Sequence, residues 1–329
     1  MPCSSTMSEP RAAARQHRRI YVAGHRGMVG SALVRCLHAH GYANLITRTR
    51  AELDLTDQAA VRRFFARAEA DYVFLAAAKV GGILANDRER GEFLYQNLAI
   101  EANVIEAALR AGVRDLMFLG SSCIYPRDCP QPIREEYLLG GPLERTNEPY
   151  AVAKIAGLKL CEAFNAQYGT RYVSVMPSNL YGPGDNFDLR SSHVLPALLR
   201  KADAARRSGA RTLAVWGSGR PRRELLHVDD LAEACVLLME RGVDGGVYNV
   251  GTGADVTVRE LAETVLRVVG LDAQLVFDTS RPDGTPRKLL DLGRMHALGW
   301  RPSIGLEEGI RMTYLWCLEN GVFDHAEAA

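Results

Sequence analysis

Between Arg19 and Gly30 the chain reads RIYVAGHRGMVG, and this stretch restricts the possible folds more than any other. The β-forming run from Ile20 to Val22 leads into three regularly spaced glycines, and a helical pattern of apolar residues follows directly. A strand, a glycine turn and a helix in this order predict a dinucleotide-binding site, because the helix N-terminus offers free N–H groups to phosphate. The alternative is a plain packing turn between strand and helix.

Each glycine of this turn has a separate predicted role. Gly24 allows the sharp turn, Gly27 allows the backbone to approach the pyrophosphate, and Gly30 allows the helix to pack close to the strand. The candidate cofactor-binding residues of the turn are Gly24, His25, Arg26, Gly27, Met28, Val29 and Gly30.

The predicted cofactor is NADP(H). A site that prefers NAD carries an acid about 20 residues beyond the glycines, where it binds the ribose 2′-hydroxyl, but this chain has Arg50 there. Two guanidinium groups, from Arg26 and Arg50, suit a 2′-phosphate. Two solvated surface arginines are the alternative, and Glu52 is a competing acid. Asp54 is a candidate for an adenine contact or for a helix cap.

Predicted strands and helices alternate through the first half of the chain, which indicates an α/β protein with a Rossmann-type doubly wound parallel sheet. Beyond Gly182 the pattern loosens, which indicates a smaller α+β C-terminal substrate lobe. We therefore predict a disordered tail at 1–18, an NADP-binding domain at 19–181 to which 227–251 return, and a substrate-binding lobe from 182–226 and 252–329. The predicted strands are 45–47, 72–78, 115–119, 172–176, 248–250 and 274–277, and the predicted helices are 61–68, 97–111, 231–241, 257–269 and 313–318.

Composition excludes several classes of protein. The net charge of +1 over 329 residues argues against a nucleic-acid-binding protein and against attraction to membrane surfaces. Seven scattered cysteines without C-x-x-C spacing indicate reduced thiols, hence a cytoplasmic protein without a disulfide framework or a bound metal. The apolar segments are too short for a transmembrane helix.

Candidate catalytic residues follow the strand at 115–119. Ser121, Ser122 and Cys123 stand at its carboxyl end, the edge at which ligands bind to open α/β sheets. Tyr150 and Lys154 then lie four residues apart on one face of a predicted helix. We expect the Lys154 ammonium to lower the pKa of the Tyr150 phenol, so that the phenol donates a proton during hydride transfer while Ser121 binds the same oxygen. An ordinary amphipathic helix is the alternative.

These motifs, in this order, resemble the extended short-chain dehydrogenase/reductase family, whose glycines have the same G-x-x-G-x-x-G spacing. The segments AGHRGMVGSA, LGSSCIYP, TNEPYAVAKIAG, NLYGPGDNF, SHVLPALLR and PDGTPRKLLD narrow the resemblance to the GDP-L-fucose synthase family, from about residue 19 to about residue 321. The resemblance implies epimerisation of GDP-4-keto-6-deoxy-D-mannose at C3 and C5, followed by reduction at C4 with NADPH. The alternatives are a GDP-keto-sugar reductase that epimerises fewer centres, a sugar dehydratase and a non-catalytic dinucleotide sensor.

The resemblance also implies catalytic roles. Ser121, Tyr150 and Lys154 serve reduction, whereas Cys123 and His193 are the base and the acid of epimerisation. C3 and C5 flank the C4 ketone, so a thiol and an imidazole that titrate near neutrality suit this proton transfer. From the sequence alone, a cysteine such as Cys123 is more often a small buried side chain than a catalytic one, and His193 is equally explained by a capping or packing role.

Binding residues are implied in the same way, including Ser178 where the family usually has Thr. Trp216 either stacks on the substrate or lies in the core, and either Arg222 or Arg223 contacts the diphosphate. The family forms homodimers through the helices that hold Asn97 and Tyr150. Further cofactor-binding candidates are Leu119, Gly120, Ser121, Ser122, Lys154, Pro177, Ser178, Asn179, Leu180 and His193, and the substrate-binding candidates are Lys201, Trp216, Arg223, Asp283 and Lys288.

Overall fold

The computed structural model of the chain describes residues 17–281 and 283–324, so most of the predicted disordered tail lies outside the described residues. The helices are α1 (Met28–Ala39), α2 (Gln58–Ala68), α3 (Ile83–Arg88), α4 (Arg90–Arg110), α5 (Glu148–Tyr168), α6 (Val194–Ser208), α7 (Val228–Arg241), α8 (Val258–Val269), α9 (Gly293–Ala297) and α10 (Leu306–Glu319). The strands are β1 (Ile20–Ala23), β2 (Leu45–Ile46), β3 (Tyr72–Leu75), β4 (Asp115–Leu119), β5 (Arg171–Pro177), β6 (Asn179–Tyr181), β7 (Thr212–Trp216), β8 (Arg222–Arg223), β9 (Leu225–His227), β10 (Gly246–Val250), β11 (Val256–Thr257), β12 (Gln274–Asp278) and β13 (Arg287–Lys288).

The central sheet is parallel and contains six strands in the order β10-β5-β4-β3-β1-β2. The predicted Rossmann-type α/β fold is therefore confirmed. The chain runs outward from β1 to β2 and then returns to β3 on the other side of β1. This reversal places a crevice at the carboxyl ends of β1 and β3, where doubly wound sheets bind ligands.

Helices cover both faces of this sheet. Leu33 and Leu37 of α1 pack with Leu231 and Leu238 of α7 against one face. Residues of α2, α4 and α5 pack against the other face, among them Val61, Phe65, Val104, Ile105 and Leu158. Each fully buried side chain of this size contributes roughly 1.5–3 kcal/mol of hydrophobic stabilisation, so both helical layers hold the sheet firmly.

A third hydrophobic cluster lies apart from these two and gathers side chains from residues 181–323. It joins Leu199 of α6, Leu261 of α8 and Ile310 of α10. Three small sheets accompany it: β11-β8-β13, β12-β7 and β6-β9. The predicted division of the chain into a cofactor domain and a substrate lobe stays a prediction.

Several element boundaries differ from the predictions. The strand predicted to reach Ala78 ends at Leu75, and the helix predicted from Asn97 already begins at Arg90. The last helix begins at Leu306 instead of Thr313. In both helices the first turns are rich in charged residues, so apolar periodicity reveals only their buried part.

The first turn of α7 contains Asp229 and Asp230, acids that interact favourably with the positive end of the helix dipole. Asp230 also accepts hydrogen bonds from the backbone N–H groups of Ser303 and Ile304, and Asp229 forms an ion pair with Arg35. The two aspartates therefore connect α7 to other elements and do not form a pair of acids in the site.

Candidate active site

The glycine turn after β1 is compact for steric reasons that the structure makes explicit. Gly24 has a φ of +83°, and a Cβ there would lie 2.8 Å from the backbone of Ala77. A Cβ at Gly30 would lie 2.1 Å from the Gly24 carbonyl oxygen. The turn therefore touches the loop after β3, and at 24 and 30 only glycine fits. At Gly27, by contrast, the nearest atom to such a Cβ is 3.5 Å away.

The residues around this turn fit a dinucleotide. Gly27 is the N-cap of α1 and brings no side-chain cap, so the first turn keeps N–H groups available for phosphate. The His25 Nδ1 and the Ser178 Oγ are buried and have no hydrogen-bond partner among the described residues. Buried polar atoms of this kind normally have a partner, which a bound cofactor supplies.

The acidic residues near the predicted adenosine-binding part of the site form hydrogen bonds with residues close to them in the chain. The Glu52 carboxylate accepts hydrogen bonds from the backbone N–H and the hydroxyl of Thr49. Asp54 accepts from Thr56, and the cap of α2 is Asp57, which accepts from Ala60 N–H. The cap suggested for Asp54 was therefore placed three residues too early. Among the described residues, Arg26 and Arg50 are both exposed.

The loop after β4 brings its polar side chains to the same edge. Gly120 N–H donates to the Val175 carbonyl, and a Cβ at Gly120 would lie 2.3 Å from the Met176 side chain. A 3₁₀ turn follows over Ser122–Ile124. The Ser121 Oγ accepts a hydrogen bond of 3.3 Å from Cys123 N–H, which leaves the hydroxyl hydrogen of Ser121 available to a ligand.

The remaining cofactor-binding candidates lie around this edge of the sheet. Leu119 and Pro177 end the adjacent strands β4 and β5, and Ser178, Asn179 and Leu180 follow directly. Ser178 N–H donates to the Val250 carbonyl at the end of β10, 2.9 Å away.

Tyr150 and Lys154 lie in the first two turns of α5. Pro149 is accommodated at the start of this helix, and Asn147 occupies the N-cap position without a side-chain cap. The Lys154 Nζ lies 5.8 Å from the centre of the Tyr150 ring and donates to the Leu119 carbonyl at 2.9 Å. It also forms an ion pair of 3.1 Å with Glu101, and both side chains are 2% exposed.

The predicted lowering of the Tyr150 pKa is wrong. Burial raises the pKa of the Tyr150 phenol well above its ordinary value, and the neighbouring Cys123 and Glu101 raise it further. Burial is the main physical reason, and the Lys154–Glu101 ion pair adds to it, because the carboxylate offsets the charge that was expected to stabilise the phenolate. The phenol therefore stays protonated at neutral pH.

The Lys288 ammonium acts electrostatically on both Cys123 and His193, so the three side chains lie in one region of the structure. Burial raises the pKa of the Cys123 thiol, opposed first by the Lys288 ammonium and then by a hydrogen bond with Ser121. His193 is the N-cap residue of α6 but makes no side-chain cap, and its imidazole is solvent-accessible. The surrounding protein and the Lys288 charge lower the pKa of His193, which favours the neutral imidazole. The capping role considered for His193 is therefore wrong.

A backbone contact brings α6 to the sheet. Gly82, in the loop after β3, donates a hydrogen bond of 2.8 Å to the carbonyl of Ser191, two residues before His193. A Cβ at Gly82 would lie 2.9 Å from the same oxygen, so the two loops are in direct contact.

Trp216 is 48% exposed, so its interpretation as a core residue is wrong. The Lys201 ammonium and the Arg281 guanidinium each lie 5.0 Å from the centre of its ring. Cation–π contacts of this kind contribute roughly 0.5–1 kcal/mol at exposed sites, and they keep the indole in place.

The two adjacent arginines of β8 differ in their contacts. Arg222 donates hydrogen bonds to the carboxylate and the carbonyl of Asp255, so its guanidinium is already engaged by protein groups. Arg223 donates to the carbonyl of Thr285, within the loop that leads to Lys288. Asp283 accepts hydrogen bonds from the backbone N–H and the hydroxyl of Ser218. Of the two arginines, Arg223 is therefore the candidate for a diphosphate contact.

Three residues that support this region were not predicted from the sequence. Glu101 pairs with Lys154, Arg281 packs on Trp216, and Glu224 is fully buried and accepts hydrogen bonds from the backbone N–H groups of three residues. A signal existed for Glu101, because Phe93, Asn97 and Glu101 follow one another at four-residue intervals on one helix face. No such signal points to Glu224.

Residues 20–251 match the model of the NAD dependent epimerase/dehydratase family. The chain is 55% identical to the GDP-L-fucose synthase of Escherichia coli (strain K12), over 92% of this chain and 97% of that protein. A solved NADP-bound GDP-L-fucose synthetase from Naegleria fowleri superposes with a TM-score of 0.85 at 27% identity, covering 93% and 94% of the two chains. An NADP-bound GDP-mannoheptose C4 reductase from Campylobacter jejuni gives 0.85 at 39% identity, covering 92% and 98%.

Proposed function

Because this chain belongs to the GDP-L-fucose synthases of the NAD dependent epimerase/dehydratase family, we propose that it converts GDP-4-keto-6-deoxy-D-mannose to GDP-L-fucose. C3 and C5 are epimerised first, and the C4 ketone is then reduced with NADPH. One observation carries this proposal: the Cys123 thiol is close enough to the Tyr150 phenol to raise its pKa, and the Lys288 ammonium acts on both Cys123 and His193. A simple reductase needs the phenol, but it has no use for a thiol and an imidazole at the same ketone.

NADPH is the cofactor, and it supplies the hydride when bound. The N–H groups of the first turn of α1 bind the pyrophosphate, next to the turn from Gly24 to Gly30. Arg26 and Arg50 bind the 2′-phosphate, a role supported by their exposure and by the local engagement of Glu52. His25 and Ser178 donate to or accept from the cofactor through the buried atoms that lack protein partners.

Cys123 and His193 act as base and acid in the epimerisation. The protons at C3 and C5 are acidic because each carbon adjoins the C4 ketone, whose oxygen takes the charge of the enolate. Burial raises the pKa of the Cys123 thiol overall, and the Lys288 ammonium is the largest influence in the opposite direction, so it stabilises the thiolate that forms during proton abstraction. Each inversion removes a proton from one face of the carbon and returns a proton to the other face.

Tyr150 and Ser121 bind the C4 oxygen in both stages. They donate hydrogen bonds to the enolate oxygen, and Tyr150 then transfers its proton to this oxygen during reduction. The raised pKa of Tyr150 suits this role, since a phenol that is protonated at neutral pH has a proton to give. Lys154 positions this end of α5 through the Leu119 carbonyl and Glu101.

The GDP part of the substrate extends along a line of cations toward Trp216. Arg223 and Lys288 bind the diphosphate, and Lys201 adds positive charge. Trp216 offers its exposed ring to the base or the ribose. The Asp283 carboxylate accepts a hydrogen bond from the Ser218 hydroxyl, which holds the loop between Asp283 and Lys288 in place.

The proposal extends to assembly and location. Exposed Tyr95 on α4 and Val152 on α5 support a homodimer formed through these helices. The cysteines in the described part of the chain are free thiols, which supports a reducing cytoplasm. As a separate finding, within residues 17–281 and 283–324 no helix combines the length and the apolar character needed to span a bilayer.

Turnover of GDP-4-keto-6-deoxy-D-mannose in D₂O with NADPH tests the proposal. The expected product is GDP-L-fucose that carries solvent deuterium at C3 and C5, formed with loss of NADPH absorbance. Cys123→Ser should retain C4 reduction but yield a product without deuterium at C3 and C5. A Cys129→Ser variant is the matched control and should behave as the wild-type protein.

Each alternative outcome has a definite meaning. Loss of NADPH without deuterium at carbon indicates a reductase that does not epimerise. Binding of NADPH without turnover indicates a dinucleotide sensor. Unchanged deuterium incorporation in Cys123→Ser removes the thiol from the mechanism.

A further inference from the structure

Three side chains of the kinds that bind metals lie close together between α1 and α7. The Cys36 Sγ donates to the Glu233 Oε1 at 3.3 Å, and the His40 Nε2 lies 2.9 Å from the Glu233 Oε2. One ligand atom from each of these residues lies within 4.8 Å of the other two. None of the three belongs to the proposed catalytic or binding machinery.

The geometry points to a site for a divalent transition-metal ion of the zinc type, and we propose that Cys36, His40 and Glu233 bind one such ion. Zinc binds thiolate at about 2.3 Å and imidazole or carboxylate at about 2.0–2.2 Å in tetrahedral geometry, which separates ligand atoms by roughly 3.3–3.8 Å. The Cys36 sulfur lies 3.3 Å from one Glu233 oxygen and the His40 nitrogen lies 2.9 Å from the other, and one ligand atom from each residue lies within 4.8 Å of the other two, so side-chain rotations bring the set into this range.

The charge balance also suits such an ion. A thiolate and a carboxylate together offset the two positive charges of the metal, and the imidazole is neutral. On binding, the Cys36 thiol releases its proton to solvent and the sulfur forms a bond to the metal. Cys36 is buried, whereas Glu233 is exposed and His40 is partly exposed. The ion therefore has an entry path, and water takes the fourth coordination position.

A second carboxylate stands behind the histidine. The His40 Nδ1 lies 3.8 Å from the Glu240 Oε1, and the Tyr42 hydroxyl donates to the same oxygen at 3.2 Å. Histidines that bind metals usually present the other ring nitrogen to a carboxylate, which fixes the tautomer and the ring orientation. Glu240 has this role in the proposed site.

The consequence of binding follows from the position of the ligands. Cys36 lies on α1 and His40 is its C-cap residue, whereas Glu233 and Glu240 lie on α7, so the ion joins the two helices. Because α1 begins at the glycine turn, the metal stabilises the helix that presents its N-terminus to the cofactor. The sequence alone does not reveal the site, since Glu233 is 193 residues from His40.

Titration of the full-length protein with Co²⁺ and Zn²⁺, after removal of metal with a chelator, tests the proposal. We expect one Co²⁺ per chain, with the near-ultraviolet band of a thiolate-to-cobalt charge transfer, displaced by Zn²⁺. Cys36→Ser should abolish this band, and Glu233→Gln should weaken Zn²⁺ binding. Glu240→Gln should weaken it by about 10–100-fold, the usual effect of a supporting carboxylate. Zn²⁺ should raise the midpoint of thermal unfolding in the wild-type protein but not in Cys36→Ser.

Two controls separate this site from adventitious binding. His38→Gln changes an exposed histidine on the same helix, and Cys129→Ser changes a thiol elsewhere; both should bind Co²⁺ as the wild-type protein does. Circular dichroism and thermal unfolding without metal establish that each variant is folded. Absence of the thiolate–cobalt band in the wild-type protein, or its persistence in Cys36→Ser, would overturn the proposal.

Discussion

Two parts of the cleft are built in different ways. The sheet-edge region, formed by Ser121, Tyr150, Lys154 and Glu101, lies at the carboxyl ends of long parallel strands. The substrate-facing region contains short strands and loops and presents cations and an exposed indole. It consists of Lys201, Trp216, Arg223, Asp283 and Lys288.

The contrast between the two regions corresponds to their proposed tasks. Proton transfer to a ketone oxygen requires fixed positions, and the sheet-edge region fixes Lys154 by a backbone carbonyl and a buried ion pair. Recognition of a long nucleotide sugar requires several contacts that an open surface can provide. Glu224 and Asp255, which are not among the proposed substrate-binding residues, hold the substrate-facing region together through Leu290 and Arg287.

The largest effect is expected in the sheet-edge region, from Tyr150→Phe. Loss of the general acid should reduce NADPH oxidation by about 10²–10⁴-fold. Exchange of the C3 and C5 protons with D₂O, followed by NMR, should persist at least in part because Cys123 and His193 are intact. Tyr168→Phe, on the same helix, is the control. Equal loss of both activities would mean that the two chemical stages are not separable.

Glu101→Gln should have the next largest effect, because it leaves the buried Lys154 ammonium without its partner. Breaking a buried ion pair costs about 3–5 kcal/mol, measured as the free energy of unfolding in urea. Glu162→Gln removes the partner of Lys159 in an exposed ion pair on α5 and should cost less than about 1 kcal/mol. Glu101 raises the pKa of Tyr150, so the variant should have a lower Tyr150 pKa. As the pH is raised, its reductase activity should therefore be lost at a lower pH than that of the wild-type protein.

Equal costs for these two variants would contradict the view that burial makes the sheet-edge pair important. An unchanged alkaline limb would show that the carboxylate does not influence the phenol.

A smaller effect is expected from Glu224→Gln in the substrate-facing region. The amide cannot accept from all three of the N–H groups of Thr252, Gly253 and Leu290, and a buried unpaired group costs about 1–3 kcal/mol. Because Leu290 follows Lys288 closely, the KM for the GDP-sugar should rise. Glu263→Gln changes an exposed glutamate of α8 and should stay within about 0.5 kcal/mol of wild type.

The same variant makes a prediction about pH. Burial raises the pKa of Glu224 from 4.5 to about 7, so the folded state binds this proton more tightly than the unfolded state. Its contribution to stability is complete below the unfolded pKa and is lost as the pH rises through the folded pKa. The wild-type protein should therefore lose stability between about pH 4.5 and 7 more steeply than Glu224→Gln. Identical slopes would show that Glu224 is ionised throughout.

The smallest effect is expected from Trp216→Ala. Loss of stacking worth about 0.5–1.5 kcal/mol should raise the KM for the GDP-sugar by roughly 2–12-fold. The kcat should hardly change, because the indole is remote from the reacting ketone. Trp216→Phe keeps an aromatic surface and should recover most of the affinity. A fall in kcat at constant KM would mean that the two regions do not divide the work as proposed.

Local sequence patterns were enough to predict the parallel sheet, the glycine turn and the order of the elements around it. These features follow from local rules: β-forming runs, glycines at fixed spacing, and residues four apart on one helix face. Tyr150 and Lys154 could therefore be placed together, and Gly24 and Gly30 had steric roles that the coordinates make explicit. The identity of the chemistry came from the wider resemblance, since Cys123 alone is as consistent with packing as with catalysis.

The partner of each charged side chain could be identified only from the folded chain. Glu101 lies far along the chain from Lys154, and Glu233 still farther from Cys36, yet these pairs are in contact. The physical reason is that burial and neighbouring charge set the state of an ionisable group, and both depend on residues that folding brings together. For this reason the spacing of Tyr150 and Lys154 was predicted correctly, whereas the direction of the Tyr150 pKa shift was not.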